Sequence, residues 1–308
     1  MTKNRTIISS LLSGGGIIPR RLGYIFMAIA IAIIHIFCGV TNVRAATPAA
    51  LVQQGKIAYD RGNFPMAIQM WERAEAGYRL ARDPVGVAGS QLNRSQALMA
   101  MGLDRRACKL LTGTVGVSAG ACDVEIPTKY GIRQTQLPPV LQAVAIEKLG
   151  DVLRILGNFD AAQVTLATAI EIAQPLSAED RSPILVSMGN TLRDLGSRER
   201  DRTDRLQPPT SKPLACPMQP SGSSLHAAAY YQHAIACYRQ AGTLTADLDA
   251  LSLQVDIAQW LRRRENTDNS ANAWQAQFNQ AELITYGSLI FREGHQIVAQ
   301  GKYKSQLE

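Results

Sequence analysis

The chain has 308 residues, of which 46% are apolar, 19% charged and 6% aromatic. That is enough apolar material for a sizeable core, which excludes wholesale disorder, and the scarcity of aromatics favours packed helices over a β-sandwich. The formal charge of +7 does not mark a nucleic-acid face, because residues 1–45 hold five cations and no acid; subtracting those five leaves +2.

The N-terminal segment carries Lys3, Arg5, Arg20, Arg21 and Arg44. From Leu22 to Val40 there are 19 residues without a formal charge. Small residues at Val43 and Ala45 follow. This order of positive, apolar and small residues predicts a secretory signal over 1–45. The apolar run is also nearly long enough to span a bilayer. An uncleaved anchor through residues 22–40 therefore stays open, and either reading puts the remainder outside the cytoplasm, periplasmic or extracellular.

Beyond residue 46 the glycines repeat. Gly55 and Gly62 are seven apart, as are Gly150 and Gly157, Gly189 and Gly196, and Gly294 and Gly301. Ser95 and Gly102 keep the spacing with one substitution. In the two best copies, Ala67, Trp71 and Ala74 correspond to Ala162, Leu166 and Ala169, and Phe64 to Phe159. Such spacing predicts pairs of antiparallel helices. The first Gly permits close approach, the second ends the first helix, and the Ala residues share one face of the second helix.

LVQQGKIAYDRGNFPMAIQMWERAEAGY from Leu51 and IEKLGDVLRILGNFDAAQVTLATAIEIA from Ile146 resemble the tetratricopeptide repeat (TPR). A second, degenerate copy uses Ser95, Leu98, Gly102, Ala107 and Leu111. A fourth has its first helix at about 183–196 and resumes near Ala227, Tyr231 and Ala234. A fifth uses Leu253, Ile257 and Trp260, then Trp274 to Ile284. The resemblance covers most of 48–303 and implies an all-α, helix-turn-helix solenoid coiled as a right-handed superhelix over 46–308. LVQQG…YDRGNF and LGDVLRILGNF are further similar to bacterial TPR arrays that precede a caspase-like CHAT peptidase domain. The chain stops before such a domain, so peptidase activity is not carried over. A truncated, non-catalytic remnant of a TPR-CHAT protein is the alternative reading.

Two segments interrupt the pattern. Residues 112–139 are rich in Gly, Thr and Pro and read as a loop. Residues 197–224 are charged, then Pro-rich, and read as a disordered, mobile insertion with no packed core. At the end, REGHQIVAQGKY reads as the first helix and turn of another repeat, and the chain stops at Glu308. That pattern predicts a shortened product with a fraying terminus.

Little in the sequence points to catalysis. Leaving Cys38 aside, Cys108, Cys122, Cys216 and Cys237 are an even set, which suits disulfides in an exported protein. A Cys108–Cys122 bridge would close a loop of about 15 residues, worth about 3 kcal/mol in the chain-entropy model. Cys216 would do the same with Cys237; free thiols are the alternative. Cys216, His226, His233 and Cys237 lack the tight knuckle of a zinc site, and His233–Cys237 as base and nucleophile has no Gly-rich or strand context. No metal, cofactor or enzymatic role is expected. The dense basic run Arg262-Arg263-Arg264 is followed by Glu265 and reads as a solvated helix end, so no nucleic-acid partner is expected.

The resemblance implies a groove lined by the first helix of each repeat. Its candidate residues are Lys56, Tyr59 and Asp60; Gln96 and Met99; Glu147, Asp151, Arg154 and Ile155; and Asn190, Arg193 and Asp194. This mixture of both charges with some apolar contacts suits a protein or peptide segment better than a lipid or polyanion. The Lys/Asn clamp for a C-terminal carboxylate is not supported, since Val52, Lys56 and Val144 occupy its places.

Overall fold

A computed structural model describes residues 46–117, 122, 137–209, 214–217, 225–263 and 273–274. Residues 1–45, expected to be a signal or anchor, and the terminal REGHQIVAQGKY lie outside these residues. Among those described there are nine α-helices and no strand. They are α1 Pro48–Asp60, α2 Phe64–Leu80, α3 Pro84–Ala100, α4 Asp104–Val115, α5 Pro139–Ile155, α6 Phe159–Ala173, α7 Ala178–Thr203, α8 Ala227–Ala241 and α9 Leu244–Arg263. No helix among the described residues is long and apolar enough to cross a membrane.

Each helix packs on the next in sequence, and α5 also touches α3 and α7, the helices two before and two after it. Pairs such as α1 and α2 are joined by only a few residues, so they run antiparallel. The turn itself recurs. After α1, Gly62 takes φ 74°, its N–H donates to Tyr59 O, and Asn63 N–H donates to Ala58 O at 2.9 Å. This is the left-handed helix stop with its six-to-one bond. Leu103 N to Leu98 O at 2.8 Å and Asn158 N to Leu153 O at 2.9 Å repeat it after α3 and α5. Asn63 then caps α2 by accepting from Met66 N–H.

The first glycine of the pattern does what its spacing requires. A Cβ at Gly55 would collide with the Trp71 indole, and one at Gly150 would lie 2.6 Å from Leu166 Cγ. The Trp71 Nε1–H, brought that close, donates to Val52 O at 3.1 Å. Ala67 and Trp71 with Ala97 form a small cluster; most of the other buried apolar side chains, from Leu92 to Trp274, form one core.

The interruptions are shorter than the composition predicts. Helix α4 continues to Val115 and α5 starts at Pro139, which narrows the first break to 116–138. Helix α7 does not stop at Gly196 but continues to Thr203. Gly196 lies within the helix, where a Cβ would stand 2.7 Å from the Tyr231 ring. In this repeat both glycines serve close approach, because two tyrosines of α8, Tyr231 and Tyr238, must press on α7. The Pro-rich insertion is also not free of the core. Leu206 is 3% exposed and Cys216 7%, and Gln207 O accepts from Trp274 Nε1–H at 3.0 Å. Short apolar anchors in a polar stretch suffice to hold it, and average composition conceals them.

Candidate functional site

The residues expected to line a groove fall into three groups. Lys56 and Asp60 are exposed on α1 and pair with each other at 2.9 Å. Gln96 and Ile155 are exposed as well. A second group is packed inward. The Tyr59 ring lies 5.2 Å from that of Phe64 and 5.9 Å from that of Trp71. Met99 packs on the main core.

Glu147 belongs to this inward group too, at 3% exposure. It accepts from Lys148 Nζ at 2.9 Å and from Ser187 Oγ–H at 3.1 Å, so it is an internal tie between α5 and α7. Burial pushes its carboxyl above the ordinary range against the pull of Lys148. Asp151, half-buried, stands 3.6 Å from the same Lys148.

The third group is brought together. Arg154 Nη1–H on α5 donates to Asp194 Oδ2 on α7 at 2.8 Å. Arg193 Nε lies 3.9 Å from the other carboxylate oxygen. One helical turn earlier, Asn190 Oδ1 accepts from Tyr238 O–H of α8 at 2.8 Å. Burial drives the Tyr238 phenol well above its usual range. On α9, burial raises Asp249 while the charge of Arg193 opposes the rise. A polar face thus joins α5, α7 and α9, three alternate helices.

Next to this face is a cavity of about 280 Å³ lined by Arg193, Ser197, Arg200, Tyr231, Leu253, Asp256, Ile257 and Trp260. The α7 positions 193, 197 and 200 and the α9 positions 253, 256, 257 and 260 each fall at helical spacing on one side of their helix. Only Arg193 of this set was legible as a site residue beforehand. Ser197 and Arg200 fell in a stretch read as insertion, and Tyr231 and Trp260 were explained by packing alone. Continuation of α7 past Gly196 is what places the first two here.

A second cluster centres on Glu75 of α2. It accepts from Arg79 Nε–H at 3.2 Å and Gln91 Nε2–H at 2.8 Å, and Arg94 binds its other oxygen. Burial alone would raise this carboxyl, but these donors outweigh it and hold it below the ordinary value. The hub ties α2 to α3. The sequence does not mark these residues, because a Glu and an Arg four apart on a helix normally make only a solvated pair.

The cysteines stand at bonding distance in both pairs. Cys108 and Cys122 have sulfurs 2.08 Å apart, and Cys216 and Cys237 1.97 Å. Cys237 has no thiolate to offer while it is bonded to Cys216, and His233 Nδ1–H donates to Ala215 O at 2.7 Å. Among the described residues no group of His, Cys, Asp and Glu is placed to hold a metal ion. Comparison with known proteins finds no family model, no curated relative and no solved structure that matches this chain.

Proposed function

We propose that this chain is a TPR-type solenoid that acts as a binding scaffold, exported or membrane-anchored, and holds a protein or peptide segment on the face made by its alternate helices. One observation carries the reading: Arg154 of α5 and Asn190, Arg193 and Asp194 of α7 form a polar face, with Asp249 of α9 in the field of Arg193, and Arg193 also lines the cavity that α9 closes. A peptide offers alternating N–H donors and C=O acceptors, and a face with both guanidinium and carboxylate groups can meet both. The recurring turns after α1, α3 and α5 support the repeat architecture. Two disulfides support an oxidising compartment outside the cytoplasm.

The test is capture of peptides from a random displayed library by the purified, oxidised chain. Arg193→Gln is expected to lower capture about fivefold or more, with helical circular dichroism unchanged. Glu171→Lys, on the exposed side of α6, should leave capture intact. Equal capture by the Arg193 variant and the parent would refute the proposal.

A further inference from the structure

We propose that the cavity between α7, α8 and α9 is a carboxylate pocket, in which Arg193 and the Ser197–Tyr231 hydroxyl pair receive one carboxylate of a bound peptide. The inference rests on the peptide-binding reading and names the chemistry that its site selects.

Most of the charged donors around the cavity are already paired. Asp194 Oδ2 accepts from Arg154 Nη1–H at 2.8 Å, and its other oxygen is 3.9 Å from Arg193, beyond hydrogen-bond distance. Arg200 is matched by Asp201 at 2.8 Å, and its guanidinium lies over the Trp260 ring, 5.6 Å from the centroid. Arg193 is therefore the pocket guanidinium whose planar set of donors is not hydrogen-bonded to a counter-ion among the described residues. Ser197 Oγ and Tyr231 Oη are 3.2 Å apart. One of these hydroxyls donates to the other, which leaves one O–H proton for a further acceptor. A guanidinium and a hydroxyl on adjoining walls form a donor set for a planar carboxylate.

The acidic residues set the upper limit on ligand charge. Asp256 is exposed at the pocket with no cation within 4.0 Å among the described residues. Asp249 feels the field of Arg193. A phosphate dianion would meet about twice the repulsion from these two carboxylates that a carboxylate monoanion meets, while facing the same guanidinium. Asp256 remains to accept a donor, and the main-chain N–H of a peptide supplies it. Leu253 and Ile257 line the pocket but are almost wholly buried, so its open surface is mostly polar, with the Trp260 ring at one side.

Four pools of short fluorescent peptides test this on the full, oxidised chain by anisotropy. Three end in an amide and carry a central Glu, Gln or Lys between random neutral residues. The fourth has no acidic side chain and a free C-terminal carboxylate. At least one carboxylate pool is expected to bind about fivefold or more tightly than the Gln pool. Whichever carboxylate pool binds identifies whether the group is a side chain or a chain end. Arg193→Gln should erase the preference at unchanged melting, and Arg193→Lys should restore part of it. Binding of the Gln or Lys pool as tight as that of both carboxylate pools overturns the proposal, as does a preference that survives Arg193→Gln. Equal, measurable binding by all pools removes the carboxylate pocket but leaves peptide binding standing; no binding by any pool removes both.

Discussion

Arg154 and Asp194, forty positions apart, form one ion pair between α5 and α7, each side chain about a quarter exposed (24% and 25%). Such a pair is less screened than a surface pair, and removing either partner leaves a half-buried charge behind. Arg154→Ala and Asp194→Ala should each lower the unfolding free energy by about 1–2 kcal/mol. The double variant should lose less than the sum in urea denaturation, because both single changes break the same bond. Strict additivity would show that the two do not share it. Charge reversal at Arg154 therefore disturbs the fold, so Arg193 is the better probe of binding.

Glycines inside helices are expected to differ in what they tolerate. A Cβ at Gly196 would stand 2.7 Å from Tyr231 carbons, while one at Gly113, inside α4, meets nothing within 4 Å. Gly196→Ala should destabilise by about 1–3 kcal/mol through overpacking. Gly113→Ala should stabilise by up to about 1 kcal/mol through helix propensity. Thermal melting of the two variants decides the matter. A Gly196 variant as stable as the parent would mean that α7 and α8 can separate at no cost.

The helical pairs were legible because their constraint is local. Gly55 beneath Trp71 and Gly62 at a left-handed turn are needed wherever two helices meet that closely, so the spacing persists. Gly196 shows where the pattern misleads. The seven-residue interval is kept, but a tyrosine partner rather than a turn explains it, and nothing within α7 distinguishes the two uses. Arg82 was missed for the opposite reason. It takes the left-handed position between α2 and α3, at φ 56°, without being glycine. The site was legible only in part. Helical spacing found Arg154, Arg193 and Asp194, but Glu147, Tyr59 and Met99 share that spacing and are packed. Which of them turns inward depends on the neighbouring helix, as with Ser187 beneath Glu147.

Arg82 gives a direct test of the recurring turn. Asp83 N–H donates to Tyr78 O at 2.9 Å, the same six-to-one bond found after α1. A non-glycine residue held there carries strain of about 1 kcal/mol or more. Arg82→Gly relieves it, partly offset by the greater freedom of glycine in the unfolded chain. A net gain of about 0.5–1 kcal/mol is expected in chemical denaturation. A loss of stability would show that Arg82 makes contacts worth more than its strain.

Glu75 should make part of the stability pH-dependent. Its folded carboxyl is held below the ordinary value by Arg79, Gln91 and Arg94, which outweigh burial. A lowered folded pKa gives stability that is present above the unfolded value and lost as pH falls through the folded one. Glu75→Gln should therefore be destabilised at neutral pH, by about 1–3 kcal/mol. The gap from the parent should close as pH falls below about 4. A gap that stays constant between neutral and acidic pH would show that the carboxylate charge is not what holds Arg94.

Cys216–Cys237 should govern whether the segment after α7 stays on the fold. Leu206 is buried at one end of that segment, Gln207 O accepts from Trp274, and at the other end Ala215 O accepts from His233 beside the bridge. Without the bridge the chain between two anchors gains freedom in the unfolded state, worth about 3 kcal/mol for a loop of this length in the chain-entropy model. Trp274, fully buried, is the reporter. Cys216→Ala with Cys237→Ala should increase acrylamide quenching of tryptophan emission. Adding Trp274→Phe should abolish the increase, since Trp71 is buried in the α1–α2 pair and Trp260 lies on α9 against Arg200 of α7. Loss of the other bridge, through Cys108→Ala with Cys122→Ala, should not change the quenching of Trp274. Unchanged quenching and melting in the Cys216 and Cys237 variant would mean that Leu206 and the backbone bonds hold the segment by themselves.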